Sequence, residues 1–599
     1  MIALLGDAMS STGRIYRISG PLVVAEGLAG VMMYEVVFVG EEGLIGEVIA
    51  IRGDRTYIQV YEETTGLTVG EKVIASGRPL SAELGPGLIG SIYDGLQRPE
   101  KEIGVLTKSI FIRRGVRVNA LNRATKWYFR RENRLSLEDK VVSGDIIGYV
   151  QETPLVLHKI MVPPGIHGRL KWLAADGEYS VEDTIAIVES DGVEHNIKLY
   201  QVWPIRRPRP YKEKLNPIEP LITGIRVIDH VFPIAKGGKA AVPGGFGTGK
   251  TVLLQELTKW SHADIAVFVG CGERGNEMSD ALTSFLKLMD TRRGRPMMER
   301  SVFIANTSNM PVAARETSVF LGVTIGEYFR DMGYDVIMVA DSTSRWAEAM
   351  REISGRMEEM PGEEGFPAYL SSRLAEFYER AGRVLALGNP ERFGSLTIFG
   401  AVSPPGGDFS EPVVRGTVRY IQSFYALDYG LATRRHFPAI NWLQSYSLYI
   451  DFVKLYWDKV SEGRWSRNRE TMLKILQREA ELSDIVRLVG PEALPEEDKL
   501  LLEMARIIRE DFLQQSALNP VDAYSPPEKG IIMMEAIMEF YRFAQEVLSK
   551  GIPVAKIREL RSRYMLSRMK FYTVEDLKSK FIPELLETMK KEFSTLLGG

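Results

Sequence analysis

A glycine-rich segment that ends in lysine and threonine is the strongest chemical signal in the sequence. Residues 244–251 read GGFGTGKT, which satisfies the pattern G-x-x-x-x-G-K-[ST], and a helix-compatible run follows. In such a loop the glycines let backbone N–H groups converge on phosphate oxygens, and the following helix N-terminus adds partial positive charge. The sequence therefore predicts nucleotide binding through Gly244, Gly245, Phe246, Gly247, Thr248, Gly249, Lys250, Thr251 and Val252.

Three side chains in and beyond this loop have predicted roles in phosphate and metal binding. Lys250 is expected to neutralise the β- and γ-phosphates, and the Thr251 hydroxyl to hold a magnesium ion. A second magnesium ligand is predicted at Asp341, because the apolar run 336–340 reads as a strand that ends in this carboxylate. An acid at a strand end can also be a simple helix cap, but the upstream phosphate loop favours the metal role.

A candidate catalytic pair follows the apolar run after the loop helix. Residues 270–277 read GCGERGNE, which places Glu273 and Arg274 where strand ends of such a sheet face the ligand crevice. A carboxylate there can align and polarise a water molecule, while the arginine fixes the carboxylate or meets charge on the γ-phosphate. A surface ion pair is the alternative interpretation.

The elements that must position these residues indicate a multidomain α/β protein. Short β-branched runs with glycine turns predict an N-terminal β-barrel over residues 1–80, and Gly and Pro punctuation marks a connector over 81–114. Residues 115–200 again look β-rich and are predicted to form an inserted module. Between 201 and 445, fully apolar runs alternate with helical patterns, which is typical of a parallel sheet covered on both faces. Residues 446–599 change to a helical period and predict a C-terminal helical domain, with Leu501, Met504, Ala505 and Ile508 on its apolar stripe and Glu503 off it.

Composition and charge exclude several classes of function. Lysine plus arginine (75) nearly balance aspartate plus glutamate (78), so the charge does not favour nucleic-acid binding. A single cysteine excludes an internal disulfide, and the six histidines show no paired metal-ligand spacing. No apolar run of about 18 residues is present, so any membrane role is expected to be indirect.

Further motifs extend the pattern along the chain. They are residues 13–21 (GRIYRISGP), 220–229 (PLITGIRVID), 341–348 (DSTSRWAE) and 354–369 (SGRMEEMPGEEGFPAY). Together with the phosphate loop and residues 270–277, they resemble the catalytic A subunit of archaeal-type and vacuolar-type rotary ATPases over essentially the whole chain. The resemblance implies a RecA-like nucleotide-binding domain, and it identifies the insert as the bulge that the noncatalytic subunit lacks.

The resemblance also implies roles for individual residues in an ATPase or ATP synthase. Glu273 would activate the attacking water with the support of Arg274, while Arg345 would add positive charge near the site. Phe437 matches an aromatic residue that packs against adenine, and the cofactor would be Mg²⁺ with ATP or ADP. Three positions depart from relatives, namely Gly245, Thr248 and Leu518, and the last lies near a second adenine-pocket position.

The partners implied are those of a rotary machine. The resemblance implies an alternating A3B3 ring in which the noncatalytic B subunit supplies an arginine finger, with central and peripheral stalk subunits attached. Residues 482–498 match the stalk-facing region, and the complex would act peripherally on the cytoplasmic face of the cell membrane, touching the membrane only through the ion-conducting sector. The alternatives are a hexameric helicase-type motor and the noncatalytic B subunit; near-neutral charge argues against the first, and the intact loop with Glu273 against the second.

Overall fold

The computed structural model describes residues 11–107, 115–290, 292–308 and 310–598. Residues 1–10 of the expected barrel and 108–114 of the expected connector lie outside the described residues. The chain divides into two compact units. The first unit comprises Met1–Leu215, Ala263–Val402 and Ser410–Tyr420, and the second comprises Asn216–His262, Ser403–Phe409 and Ile421–Gly599.

The first unit begins with a closed six-stranded barrel. Its strands, in the order in which they pair, are Thr12–Ser19, Leu22–Glu26, Arg55–Val60, Leu44–Arg52, Glu35–Val39 and Lys72–Pro79. Alternating side chains point inward because successive residues of a strand face opposite sides, and Val23, Val37 and Ile58 are fully buried. Closure leaves no open edge. The predicted N-terminal β-barrel is confirmed.

Two four-stranded antiparallel sheets form the β-rich insert. One sheet contains Lys140–Val141, Gly168–Leu173, Thr184–Ser190 and Val193–Lys198, and the other contains Val156–Met161, Ile146–Thr153, Lys126–Arg131 and Gly177–Ser180. Beyond it, Gln201–Pro204 pairs with Ser81–Leu84, so part of the segment expected to be a connector is a strand.

A parallel sheet forms the rest of the first unit. Its strand order is Phe393–Val402, Asp335–Asp341, Ile265–Cys271, Ser301–Asn306 and Ile92–Tyr93, and Gly382–Leu385 with Glu213–Leu215 extends it in antiparallel pairing. The helices of this unit are Glu100–Thr107, Gly275–Leu286, Val312–Asp331, Thr343–Arg356, Leu370–Tyr378 and Pro412–Val418. Because the strands are parallel, their carboxyl ends meet at one edge, where ligands bind in such sheets.

The second unit starts with a strand, a loop and a helix. Strand Lys239–Pro243 pairs in parallel with Ser423–Phe424, which pairs in antiparallel with Tyr446–Ser447. Helix Lys250–Trp260 follows the glycine-rich loop, and the short helix Tyr429–Thr433 lies further along the chain. The predicted phosphate loop therefore lies between a buried strand and a helix, as its pattern requires.

The remainder of the second unit is helical. The main helices are Ile450–Val460, Trp465–Val489, Glu496–Ile507, Pro527–Ser549, Val554–Arg558, Arg561–Arg568 and Ile582–Gly598. Met504, Ala505 and Ile508 of the predicted stripe are fully buried. Glu503 was expected off that stripe, but it is only 4% exposed because Arg563 and Arg558 pair with it at 2.8 and 3.2 Å. The fold class predicted from the sequence is confirmed.

None of the helices in the described part of the chain is both long and apolar enough to cross a membrane.

Candidate functional site

The phosphate loop owes its shape to glycines at two left-handed positions. Gly247 and Gly249 have φ values of 78° and 81°, a region that side chains with a Cβ rarely adopt. Helix Lys250–Trp260 begins directly after Gly249. The first N–H groups of a helix lack partners within it, so this turn offers hydrogen-bond donors and partial positive charge to an anion.

Thr248 makes a hydrogen bond within the loop. Its side chain is 2% exposed, and its hydroxyl donates to the Gly245 carbonyl oxygen at 2.8 Å. A Cβ on Gly245 would meet nothing closer than 3.9 Å, whereas one on Gly244 would lie 2.7 Å from Leu427. Glycine is therefore sterically required at 244 but not at 245, which is one of the three positions expected to depart from relatives.

Lys250 has a partner that the sequence reasoning missed. Its ammonium group donates to the hydroxyl of Ser403, and both residues belong to the second unit. A phosphate oxygen is a stronger acceptor for an ammonium than a neutral hydroxyl is. Ser403 therefore holds the lysine in this structure, and a phosphate oxygen is expected to replace it as acceptor. Its only sequence signal is its place directly after the strand Phe393–Val402.

A cavity of about 630 Å³ opens beside the loop in the second unit. Gly247, Gly249 and Val252 line it together with Phe437, and a Cβ on Gly249 would lie 3.1 Å from the Phe437 ring. The structure thus brings the predicted phosphate loop and the predicted adenine-packing residue to one cavity. Phe571, which sequence reasoning did not single out, lines the same space.

A buried arginine holds the far wall of this cavity. Arg226, fully buried, donates to the Asp522 carboxylate at 2.6 Å and to the carbonyls of Phe512 and Gln514, each at 2.8 Å. The backbone N–H of Gln515 donates to the Phe437 carbonyl at 2.8 Å. Since a buried guanidinium must have partners, Arg226, from the motif at 220–229, orders the wall around Phe437 through this network.

His436, next to Phe437, makes this wall sensitive to acid. Burial, aided by Arg509 and Lys570, lowers the His436 pKa to about 4, so the folded chain keeps the ring neutral where the unfolded chain would protonate it. The contribution of neutral His436 to the free energy of unfolding is therefore fully present above about pH 6.5, and it is lost as the pH falls toward 4.

We expect the thermal midpoint of the chain to drop between pH 8 and pH 5, and His436→Asn to reduce that drop by a few degrees. The exposed His167 provides the control: an equal reduction in His167→Asn would contradict the assignment.

The predicted catalytic carboxylates belong to the first unit. Strands Ile265–Cys271 and Asp335–Asp341 are adjacent and parallel, with Gly270 in register with Asp341. Both strands end at the same edge, so Asp341, which is 3% exposed, and the half-buried Glu273 follow neighbouring strand ends. The structure therefore places one predicted residue at the end, and the other just after the end, of two adjacent strands.

Two arginines accompany these carboxylates. Gly272, at φ 72°, packs against Arg345, whose Cβ would be 2.7 Å from a Cβ placed on the glycine. The Glu348 carboxylate, 2.9 Å from Arg345, and the charges of Glu273 and Glu277 raise the Arg345 pKa. Arg274, by contrast, is largely exposed, and its guanidinium lies 4.0 Å from Glu277. Arg345 is therefore the arginine that the structure associates with Glu273.

The donor chemistry of the two predicted metal ligands fits magnesium. Thr251, in the second unit, provides a hydroxyl, and Asp341, in the first unit, provides a carboxylate; each is an oxygen ligand of the kind that Mg²⁺ prefers. Among the described residues, no group of three or more His, Cys, Asp and Glu side chains is arranged to hold a metal ion.

The glycine-rich loop between strand and helix, with acids at parallel strand ends, defines a P-loop nucleotide-binding protein. The sequence matches the nucleotide-binding domain of the ATP synthase alpha/beta family over residues 224–447, its β-barrel domain over 15–77 and its barrel-sandwich domain over 118–206. Residues 454–558 match the C-terminal domain of V and A type ATP synthase.

Full-length relatives make the assignment specific. The chain is 60% identical to the A subunit of the A-type ATP synthase of Staphylothermus marinus, covering 98% of each chain. It is 57% identical to the corresponding protein of Methanopyrus kandleri, covering 98% of this chain and 99% of the relative. The chain belongs to the family of A subunits of A-type ATP synthases.

A solved structure supports the fold alone. The assembled ATPase EscN of the enteropathogenic E. coli type III secretion system is similar with a TM-score of 0.61 at 22% identity, covering 88% of this chain and 99% of that one.

Proposed function

We propose that this chain is the catalytic subunit of a rotary ATPase/ATP synthase that interconverts ATP and water with ADP and phosphate, coupled to proton or sodium transport. The observation that carries the proposal is the full-length similarity to the A subunits of A-type ATP synthases, such as the 60% identity to that of Staphylothermus marinus. The phosphate loop and the adjoining cavity, lined by Phe437, supply a matching place for a nucleotide.

The residues of the chain have separate tasks in this mechanism. The loop N–H groups and Lys250 bind and orient the β- and γ-phosphates, and Phe437 packs against the base. Glu273 accepts a hydrogen bond from the attacking water and aligns it in line with the bond to be broken. The positive charge of Arg345 favours the charged form of that carboxylate. By family similarity, Thr251 and Asp341 would supply oxygen ligands to magnesium, and the ion would neutralise charge on the phosphates.

The finer assignments of partners rest on the same family similarity. The chain would alternate with a noncatalytic B subunit in an A3B3 ring, receive an arginine finger from it, and press residues 482–498 against a central stalk. Peripheral stalk subunits would hold the ring, and an ion-conducting sector would link it to the cytoplasmic face of the membrane. An arginine supplied in trans typically raises phosphoryl-transfer rates by about 10³- to 10⁵-fold.

This dependence on a partner gives the test of the proposal. ATP hydrolysis by the chain alone is expected to be slow, and to rise by about 10³-fold when the noncatalytic partner is added. The measurement is steady-state phosphate release at fixed chain concentration, with the partner alone as the blank. A lone chain that hydrolyses ATP at the full rate, or one activated only by single-stranded nucleic acid, would contradict the proposal.

A further inference from the structure

We infer that Phe571, at the far end of the helical domain, forms a second aromatic wall of the base-binding cavity and contributes to affinity for the nucleobase. The inference rests on the proposed function, since it concerns the same nucleotide. Phe571 lines the cavity that the phosphate loop and Phe437 line, and the residue is 49% exposed. An aromatic side chain left half exposed beside such a cavity retains apolar area that a ligand can cover.

The turn that ends at Phe571 is held in place by the two residues before it, Met569 and Lys570. Residues Met569–Phe571 form one tight turn, in which Met569 is fully buried. The Lys570 ammonium donates to the Glu510 carbonyl at 2.9 Å, and the Lys570 carbonyl accepts from the Lys529 ammonium at 2.7 Å. The Phe571 ring therefore projects from a backbone that is held in place, so stacking on it would cost little ordering entropy.

A single buried lysine joins this turn to the loop that contains Val521. Lys529 is 1% exposed, and its ammonium donates both to the Lys570 carbonyl and, at 2.9 Å, to the Val521 carbonyl. The loop that Lys529 reaches carries Leu518, whose side chain is 95% exposed and so makes little contact with the rest of the chain. Phe571, not Leu518, is thus the well-anchored apolar group on this side of the cavity.

Binding experiments with and without a base separate this role from phosphate binding. We would measure dissociation constants for ATP and for inorganic tripolyphosphate by calorimetry on the full chain. Base–aromatic stacking predicts that Phe571→Ala weakens ATP binding by about tenfold, while Phe571→Trp preserves it. Tripolyphosphate has no base, so its affinity is expected to be the same in all three proteins.

A matched control uses another exposed aromatic residue of the same domain. Tyr564 is 61% exposed and lies on the helix before the turn, away from the cavity lining. Tyr564→Ala is expected to bind ATP as the unchanged chain does. Equal losses in Tyr564→Ala and Phe571→Ala, or a parallel loss of tripolyphosphate binding in Phe571→Ala, would overturn the inference while leaving the proposed function standing. If the unchanged chain binds neither ATP nor tripolyphosphate, the proposed function itself fails.

Discussion

Lys250→Ala is expected to lower the rate of ATP hydrolysis by the assembled ring by about 10³-fold, the range found when one charge-stabilising donor to a transition state is removed. The ammonium would meet negative charge that grows on the transferred phosphoryl group, and alanine leaves that charge to water. ATP affinity should fall as well, because charge-assisted hydrogen bonds contribute about 1.5–3 kcal/mol each. Hydrolysis and ATP binding are measured separately, by phosphate release and by calorimetry.

A second lysine on the same helix supplies the control for this substitution. Lys259 lies near the end of helix Lys250–Trp260, where its ammonium lies over the Trp260 ring at 4.3 Å. Lys259→Ala removes the same charge at the other end of the helix and should leave hydrolysis within about twofold, as expected for a substitution outside a functional site. Comparable losses in both variants would show that the effect is on folding rather than on phosphate. Lys250→Arg keeps the positive charge but replaces the compact ammonium with a planar guanidinium. It therefore tests whether the shape of the cation matters as well as its charge.

Glu273→Gln is expected to reduce kcat by about 10²- to 10⁴-fold while ATP binding is retained. The amide keeps the shape of the side chain but cannot accept a proton or polarise water as a carboxylate does. The effect should therefore appear in single-turnover hydrolysis and not in the dissociation constant for ATP. Glu273 and Lys250 can be told apart in this way, because loss of Lys250 is expected to lower both the rate of hydrolysis and the affinity for ATP.

Glu277 offers the matched comparison for Glu273. Both acids are half-buried, both contribute to raising the Arg345 pKa, and Glu277 lies one helical turn further on in Gly275–Leu286. Glu277→Gln should retain most of the rate, since no role at the reacting atoms is assigned to it. If Glu277→Gln is inactive and Glu273→Gln active, the water-activating group has been placed on the wrong carboxylate.

Features that depend on neighbours in the chain could be predicted well. The phosphate loop, the apolar strands and the helical C-terminal region follow from local spacing, because backbone conformation and burial impose periods of a few residues. The strand predicted over 336–340, ending in Asp341, is an example. In the structure this strand is Asp335–Asp341. The pairing of Gly270 with Asp341 then follows from parallel strands in one sheet.

The sequence by itself thus predicted the class of fold, the order of the domains and the residues expected to bind phosphate. Only the tertiary structure decided which distant side chains complete the site: Ser403 beside Lys250, the Arg226 network behind Phe437, and Phe571 in the cavity. These partners are separated by long stretches of chain, and no local period relates them. Their contacts arise because buried charges and polar groups must find partners wherever packing brings the chain together, which is a property of the folded whole.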